Sequence, residues 1–434
     1  MAIAAPNTTT STTAPGTGQS YAAPLATVTT LFFMWGFLTC LNDILVPHLK
    51  SIFDLNYTRV MLIQFAFFGA YFLFSIPSAK IIDAIGYQRS MVLGLLTMGV
   101  GAFLFVPAAS APSYPLFLGA LIVLAAGITC LQVAANPYVA VLGKPETASS
   151  RLNLTQAFNS LGTFLAPFFG GLLILSSAPK TAAEIHAMLP DAALAYRLHE
   201  AATVKMPYVG LGIALVVLAA AIASFKLPKI EHAQHKVGEK VDDSIWRHPN
   251  LIFGAIAIFV YVGAEVSIGS FLVNYFAQPE IGGLTEKVAA SFVAFYWGGA
   301  MVGRFIGSAL LQKFKTGGLL GICAVCAAAL VGISMMSSGH MAMYSIILVG
   351  FFNSIMFPSI FTLGIAELGP LTGDGSGIMI MAIVGGAILP VAQGWIADHI
   401  GIHHAFFLPI ICYLYILFFA LSGSKPNSKR FANA

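Results

Sequence analysis

Charge is the scarcest property of this sequence. Only 9% of its 434 residues are Asp, Glu, Lys or Arg, whereas 58% are hydrophobic. A soluble globular protein carries charge on about a quarter of its residues, because its surface has to face water. The shortage of charge excludes an ordinary water-soluble fold, and it predicts a chain whose surface is covered mainly by lipid.

Signatures of enzymes and cofactor sites are absent from the sequence as well. It contains no H-E-x-x-H, no G-x-S-x-G and no Walker phosphate loop. All 5 cysteines fall in apolar stretches, and the C-x-x-C of Cys323 and Cys326 lacks a thioredoxin-like context. The adjacent His403 and His404 fall in an external loop and form only a weak metal motif. We therefore expect neither an enzyme nor a bound cofactor.

Long apolar runs are what the sequence does contain. Most of them carry at most one ionisable group, and each is long enough to cross a hydrocarbon layer of about 30 Å as a helix. A β-barrel would show alternating segments of about ten residues instead. The sequence therefore predicts an all-α membrane protein with twelve transmembrane helices. These spans are centred near residues 38, 70, 99, 128, 163, 215, 263, 298, 327, 354, 386 and 413.

An even number of spans places both termini on one side of the membrane. If that side is the cytoplasm, fifteen of the 21 Lys and Arg residues lie inside and six lie outside, as the positive-inside rule requires. We expect a multi-pass protein of a bacterial inner membrane with both termini in the cytoplasm. The net charge of +4 then reflects this orientation, and no nucleic-acid partner is expected.

The most polar part of the chain falls between the sixth and seventh spans. Residues 226–250 are typical of a cytoplasmic linker, and they separate two halves of six spans each, residues 26–225 and 251–424. Residues 1–25 are rich in Thr, Ser, Ala and Gly and carry no Lys or Arg, so they resemble a disordered tail rather than a signal peptide. Residues 425–434 form a second tail.

The two halves carry polar and helix-breaking residues at matching positions, between 221 and 223 residues apart. A parallel repeat of six plus six helices with breakers in equivalent places is typical of secondary transporters, whose site lies at the membrane midplane between the halves. The sequence therefore predicts two pseudo-symmetric halves. The matched pairs are Asp43 with Glu265, Gln132 with Asn353, Pro137 with Pro358, Gly143 with Gly364, Gly162 with Gly385, Pro167 with Pro390, and Gly171 with Gly394.

Asp43 is the clearest polar group inside a predicted span. An ionised Asp near the centre of a membrane helix costs roughly 2.5 to 3.5 kcal/mol on insertion scales, so it needs a partner or a wet cavity. Pro47 lies four residues later and frees the carbonyl oxygen of Asp43 from its helical hydrogen bond. This pattern favours a coupling-ion site, and a structural Asp that pairs with a neighbouring helix is the alternative.

Side-chain amides cluster in the fourth and fifth spans. Gln132 and Asn136 are four residues apart, and Gln156 and Asn159 are three apart, so each pair shares one helix face. An amide both donates and accepts hydrogen bonds, and so does a sugar hydroxyl, whereas an anionic substrate would require Lys or Arg in the spans. The amides predict a site for a polyol, and hydrogen-bonded contacts between helices are the alternative.

The second half adds further candidates for the same site. Glu265 and Asn274 are nine residues apart, on opposite faces of an ideal helix, so they converge only if the helix breaks near Gly269. Asn353, matched to Gln132 in the repeat, adds another amide. We also expect flat aromatic faces against the sugar, from Trp35 and Phe357.

The turn after the second span resembles the acidic and basic signature of the major facilitator superfamily. It runs from residue 77 to residue 89 and contains Asp83 and Arg89. An Asp near a helix end can accept hydrogen bonds from a neighbouring helix N-terminus and pair with Arg, which would hold the two halves in one access state. We predict that Asp83 and Arg89 form a gating latch, with a merely solvated turn as the alternative.

Five short motifs combine polar identity with position in a way that generic hydrophobicity would not reproduce. They are Asn42–Pro47, Gln132–Tyr138, Arg151–Leu154, Gln156–Ser160 and Pro358–Phe361. Together they resemble the fucose-galactose-glucose symporter family of that superfamily, and the resemblance covers the chain from about residue 25 to residue 425. It implies the major facilitator fold, alternating access and monosaccharide uptake, with Asp43 as the essential coupling carboxylate and with Gln156 and Asn159 in contact with the sugar.

Two departures within that family bear on the coupling ion. The fucose permease branch carries Glu where this chain has Gln132 and Gln where it has Glu265, so the chain looks like the glucose and galactose branch. Because one titratable group is missing, we expect sodium as the ion, held by oxygens of Asp43, Asn42 and Gln132. Proton coupling through Asp43 alone is the alternative.

The expected function is hexose uptake by cation symport. Glucose or galactose is the expected sugar, with fucose or mannose as further possibilities, and we expect a functional monomer in the lipid bilayer. An exporter of hydrophobic compounds would have fewer amides and more aromatic residues in its cavity, and a membrane scaffold or receptor would not need paired intramembrane carboxylates. These two alternatives remain open at the level of sequence.

Overall fold

The computed structural model describes residues 21–53, 57–110, 113–173, 184–185, 187–203, 205–228, 230 and 244–426. Within its helices, the side chains of residues 38–39, 41–53, 57–61, 167–173, 194, 197, 200–203 and 286 lie outside the description. The described chain is helical and contains no β-strand. The predicted all-α class is therefore confirmed.

The first half contains seven described helices. Five long ones precede α6, a short helix between the fifth and sixth predicted spans, and α7 supplies the sixth span. They are α1 (Ala22–Phe53), α2 (Tyr57–Ile85), α3 (Tyr87–Ser110), α4 (Tyr114–Val141), α5 (Ala148–Leu173), α6 (Pro190–Thr203) and α7 (Lys205–Ser224).

The second half contains nine described helices, because its fourth, fifth and sixth spans are each divided. They are α8 (Pro249–Ala277), α9 (Glu286–Leu310), α10 (Thr316–Met336), α11 (Gly339–Asn353), α12 (Met356–Gly364), α13 (Thr372–Met381), α14 (Gly385–Ile400), α15 (Ile402–Ala405) and α16 (Phe407–Phe418).

Length and apolar composition make 10 helical segments of the described chain able to cross a membrane. The described part of α1 adds a shorter apolar helix, Ala22–Phe37. Large apolar side chains such as Phe65, Trp395 and Leu421 remain exposed on the outside of the bundle. A surface of this kind is stable only against lipid, which agrees with the membrane location predicted from the low charge.

Glycines allow equivalent helices to touch in the two halves. In the first half α1 packs on α5, and a Cβ added at Gly162 would lie 2.2 Å from the carbonyl oxygen of Phe33. In the second half α8 packs on α14, and a Cβ at Gly385 would lie 2.0 Å from the carbonyl oxygen of Phe259. Gly162 and Gly385 are a matched pair of the sequence repeat, so the repeat encodes the same close backbone contact twice.

The halves contact each other mainly through five helix pairs of the described chain. Helix α2 packs on α13 and contacts α14, α4 also contacts α13, and α5 packs on both α9 and α12. Polar contacts across this interface lie near the helix ends that the distribution of Lys and Arg assigns to the cytoplasm. The predicted boundaries at residues 225, 250 and 424 stay predictions.

Two prolines release backbone carbonyl oxygens that accept hydrogen bonds from other helices. Pro137 in α4 and Pro358 in α12 each lack the N–H that would bond to the residue four positions earlier. The freed carbonyl oxygen of Val133 accepts a hydrogen bond from Ser376 Oγ of α13 at 2.8 Å. The freed carbonyl oxygen of Ser354 accepts one from Arg304 Nε of α9 at 3.3 Å. The matched prolines of the repeat thus supply one tertiary contact point in each half.

Candidate functional site

Four amides of the first half are buried with polar atoms that have no partner among the described residues, and three of them are predicted site residues, the fourth being Asn153. The unpartnered atoms of these three are Oε1 of Gln132, both amide atoms of Asn136 and Nε2 of Gln156. All three side chains are at most 4% exposed. Buried polar atoms are nearly always hydrogen-bonded in native proteins, because an unsatisfied one costs about 1 to 3 kcal/mol. Their presence therefore indicates a place where a polar ligand or water completes the hydrogen bonding.

Gln132 is held in place by an aromatic group. Its Nε2 donates to the hydroxyl of Tyr71 in α2 at 2.7 Å, and Trp35 of α1 interacts with the same hydroxyl. The ring of Phe67 packs on Tyr71 with 5.5 Å between centroids. The structure thus brings the predicted Gln132 and Trp35 together through Tyr71. Sequence reasoning missed Tyr71, although a lone tyrosine near the centre of the second span was a signal.

Asn159 has a structural partner that the sequence did not reveal. Its Nδ2 donates to the backbone carbonyl of Phe32 at 2.9 Å and so ties α5 to α1. This is the contact between helices that was the alternative to sugar binding for this amide pair. A sugar contact by the remaining oxygen of Asn159 stays a prediction.

Glu265 belongs to a buried tyrosine network of the second half. Tyr261, one turn earlier in α8, donates from its hydroxyl to Glu265 Oε1 at 2.7 Å and lies 3.1 Å from the carbonyl oxygen of Asn353. Asn353 Nδ2 donates to the hydroxyl of Tyr296 at 2.9 Å, and Asn353 Oδ1 accepts from Tyr413 at 2.8 Å. The Asn353 amide is therefore engaged within the bundle, whereas Glu265 remains partly exposed.

The expected convergence of Asn274 with Glu265 is wrong. Helix α8 runs without a break from Pro249 to Ala277, through Gly269. Nine residues on an unbroken helix turn through about 900°, so the two side chains stay on opposite faces. Asn274 is exposed near the end of α8, and the structure does not bring it to the Glu265 network.

Two further positions of the second half bear on the site, the predicted Phe357 and Gln393, which was not among the predicted site residues. Phe357 is half-buried in α12 and stacks on Phe361, with 6.1 Å between centroids. Gln393 in α14 is fully buried, and both of its amide atoms lack a partner among the described residues. Gln393 therefore resembles the first-half amides more closely than Asn353 does.

The predicted coupling-ion ligands lie partly outside the described side chains. Asn42 and Asp43 belong to α1, and their side chains are among those that the structure does not describe. Their roles stay predictions. The third predicted ligand, Gln132, keeps a buried and unpartnered Oε1, which is the kind of oxygen that a hard cation such as sodium binds.

The ion pair between the halves differs from the predicted latch. Lys80 Nζ lies 2.8 Å from Asp374 Oδ1 of α13 and 3.9 Å from Asp83 Oδ2. Arg89 is exposed, and it takes part in no ion pair within the described residues. The basic partner of Asp83 is therefore Lys80, because positions 80 and 83 lie on one face of α2, whereas Arg89 lies beyond the turn at Gly86.

Hydroxyl groups reinforce the same end of the interface. Ser149 of α5 lies 2.6 Å from Thr362 Oγ1 of α12 and accepts from Thr316 Oγ1 of α10 at 3.0 Å. Ser150 Oγ donates to the carbonyl of Ser308 at 2.7 Å, and Ser308 Oγ donates back to the carbonyl of Ser150 at 3.1 Å. Small side chains with reciprocal hydrogen bonds hold the predicted cytoplasmic ends of the two halves together.

Comparison with known proteins places this architecture in a family. The model of the Major Facilitator Superfamily matches residues 26–383. The chain belongs to the major facilitator superfamily. The predicted arrangement of twelve helices in the major facilitator fold is thereby confirmed.

Individual relatives narrow the comparison within this superfamily. The glucose/galactose transporter of Brucella abortus is 53% identical over 98% of this chain and 100% of its own length. The L-fucose-proton symporter of Escherichia coli is 36% identical over 94% of this chain and 95% of its own. These relatives confirm the resemblance to the fucose-galactose-glucose symporter family, and their names are those of transporters rather than enzymes.

A solved structure of a related transporter has the same fold as this chain. The E. coli fucose symporter in its outward conformation superposes with a TM-score of 0.85 at 34% identity, over 94% of this chain and 100% of that one.

Proposed function

We propose that this chain takes up a hexose across a bacterial inner membrane by cation symport with alternating access. The unpartnered amide atoms of Gln132, Asn136 and Gln156 carry this proposal. They are neutral, they include donors and acceptors, and they are buried in the bundle, where Gln132 bonds to Tyr71 and Trp35 interacts with the same hydroxyl. A sugar offers hydroxyls that donate and accept, and its C–H faces pack on aromatic rings.

Glucose or galactose is the proposed sugar. The name of the Brucella relative supports this choice, and the high identity over both whole chains strengthens it. Glu265 is partly exposed, and one of its oxygens accepts a hydrogen bond from Tyr261. Its second oxygen is therefore an acceptor that the second half offers to a sugar hydroxyl. Fucose and mannose differ in hydroxyl stereochemistry and serve as competitors in the test.

Alternating access is supported by the position of the contacts between halves. The Lys80–Asp374 pair and the serine contacts lie together at the predicted cytoplasmic end. A transporter that is joined at its cytoplasmic end opens outward, and the related fucose symporter was solved in an outward conformation. We propose that uptake requires these contacts to separate.

The coupling ion is proposed to be sodium or a proton, bound at Asp43. Sodium is the expectation from Gln132, which cannot titrate and which offers a neutral oxygen ligand. The name of the E. coli relative, a fucose-proton symporter, supports the proton instead. Because Asp43 can serve either ion, separate gradients decide between them.

The proposed membrane arrangement follows from charge and from the relatives. Both termini are placed in the cytoplasm by the excess of Lys and Arg on that side, and the bacterial relatives support the inner membrane. The site lies between the halves of one chain, so we propose that the monomer is the functional unit.

The test is uptake of radiolabelled hexoses into proteoliposomes that contain the purified chain. Sodium and proton gradients are imposed separately, with glucose, galactose, fucose and mannose each offered alone and as competitors. We expect glucose or galactose to accumulate above its external concentration under one of the two gradients. Failure of all four sugars to accumulate, or accumulation of hydrophobic dyes instead, would reject the proposal in favour of an exporter or a non-transporting membrane protein.

A further inference from the structure

Arg304 in α9 joins the two halves through both its side chain and its backbone. Its guanidinium Nη1 donates to Ser160 Oγ of α5. Its own carbonyl oxygen accepts from Asn153 Nδ2 of α5 at 2.7 Å. Both partners belong to the first half, so one residue of the second half contacts α5 at two points about two helical turns apart.

The guanidinium is aimed by a backbone group that a proline released. Arg304 Nε donates to the carbonyl oxygen of Ser354 at 3.3 Å, and Pro358 is the residue that leaves this oxygen without a helical donor. A guanidinium has a fixed fork of donors, so anchoring Nε orients the Nη atoms toward Ser160. Lysine carries the same charge, but it has no planar fork with which to make both contacts.

Arg304 is linked to a candidate residue of each half. Its positive charge acts on the carboxylate of Glu265, which accepts the Tyr261 hydrogen bond. Ser160, to which Arg304 donates, lies one helical turn after Gln156 in α5, and its Oγ donates to the backbone carbonyl oxygen of Gln156 at 3.2 Å. Arg304 is thus linked by charge to the second-half acid and, through Ser160, to the turn of α5 that carries the amide of Gln156.

We propose that Arg304 is a positioning residue that couples the sugar site to closure of the cytoplasmic end. While it bridges Ser354 and Ser160, the halves are held together beside the site and Glu265 has a positive counter-charge. Release of Ser160 is required for inward opening. This role deepens the proposed function and rests on it, whereas the effect of Arg304 on closure can be measured without any sugar.

The experiment measures the distance between the cytoplasmic ends of the halves by pulsed electron paramagnetic resonance. Nitroxide labels are placed on non-canonical amino acids at Lys144 and Lys313, which are both exposed, so the native cysteines stay untouched. In Ser160→Ala we expect the ratio of the long-distance to the short-distance population to rise about tenfold, as loss of a hydrogen bond to a charged group predicts. Arg304→Gln should have at least the same effect.

Thr163→Ala is the matched control, because it removes a hydroxyl from the same helix. Thr163 Oγ1 contacts the carbonyls of Gly36 and Asn159, within the first half only, so its distance distribution should equal that of the parent. Arg304→Lys should resemble Arg304→Gln if the fork matters. Equal distributions for Ser160→Ala, Thr163→Ala and the parent would overturn the proposal.

Repeating the distance measurement with added hexose distinguishes failure of this inference from failure of the proposed function. If the parent distances respond to no hexose while Ser160→Ala still opens the cytoplasmic end, the function is wrong and the positioning role stands. If a hexose shifts the parent and shifts Ser160→Ala equally from an unchanged starting distribution, the function stands and the positioning role is wrong.

Discussion

The predicted site amides that the structure describes inside the bundle divide into two groups by what their atoms contact. Asn159 and Asn353 have hydrogen-bond partners within the bundle, a backbone carbonyl for the first and two tyrosines for the second. Gln132, Asn136 and Gln156 retain unpartnered buried atoms. Since an orphaned polar atom is costly, the second group is the one that a ligand would stabilise.

Gln156→Ala should weaken sugar binding with little effect on folding. Its Nε2 has no partner among the described residues to lose, so we expect the Kd for the transported hexose to rise about tenfold, equivalent to one hydrogen bond of about 1.4 kcal/mol. Binding calorimetry and the apparent Tm of the purified protein measure the two effects. Asn159→Ala is the contrast, because it should lower the Tm as the Phe32 carbonyl loses its donor. Normal hexose affinity in Gln156→Ala would remove α5 from the site.

Asp43→Asn should separate coupling from exchange. An amide can still contact a sugar hydroxyl, but it neither titrates nor offers a charged ligand to sodium. We expect gradient-driven accumulation to fall to background, while exchange of internal for external hexose continues without a gradient. Proteoliposomes run in both modes provide the measurement, with Glu265→Gln as the comparison on the matched position of the repeat. Intact accumulation in Asp43→Asn would place the ion elsewhere.

Helix elements repeat their contacts between the halves. The pairs α1 with α5 and α8 with α14 each meet at a glycine that leaves no room for a Cβ. Pro137 and Pro358 likewise occupy matched positions within α4 and α12, and the carbonyls they free accept from Ser376 and Arg304. A proline that removes a hydrogen bond from its own helix thus provides a carbonyl oxygen that a neighbouring helix can bind.

Gly162→Ala and Gly385→Ala should both destabilise the bundle. In each case the new methyl group would overlap a backbone carbonyl, and overpacking of this kind costs about 1 to 3 kcal/mol. The apparent Tm of purified protein should therefore drop by several degrees for either variant. Gly119→Ala is the control, because a Cβ there meets nothing within 4 Å. If the Tm of Gly162→Ala or Gly385→Ala drops no more than that of Gly119→Ala, the close helix contact is contradicted.

At the scale of the whole molecule, polar contacts that are individually small join the halves at the end predicted to be cytoplasmic. Lys80 is 62% and Asp374 20% exposed in their side chains, so their ion pair is a largely solvated one, worth about 0.2 to 1 kcal/mol. The serine and threonine contacts are neutral. Contacts of this size allow the halves to separate in each transport cycle, which a large hydrophobic interface would prevent.

Lys80→Glu should favour opening of the cytoplasmic end, because it places like charges opposite each other. The reporter is Leu311→Cys, buried beside the cytoplasmic cleft, labelled with a membrane-impermeant maleimide in inside-out vesicles. We expect labelling to accelerate about two- to fivefold, and less at high salt. The double variant Lys80→Glu, Asp374→Lys should restore the parent rate. No restoration would show that the effect of Lys80 does not pass through Asp374.

The sequence by itself determined the membrane environment, the helical class and the twofold plan. These properties depend on local composition and on spacing along the chain. A chain with 9% charged residues and long apolar runs is stable in lipid, where helices satisfy the backbone hydrogen bonds internally. The match of Gly162 to Gly385 was visible as a spacing, and the structure gave it a physical cause in close helix contact.

The tertiary structure alone decided which polar groups meet. It paired Lys80 with Asp374, gave Asn159 the Phe32 carbonyl, and kept Asn274 away from Glu265 along an unbroken helix. Such partners are fixed by the rotation and crossing of helices that are distant in sequence, and no spacing within one helix specifies them.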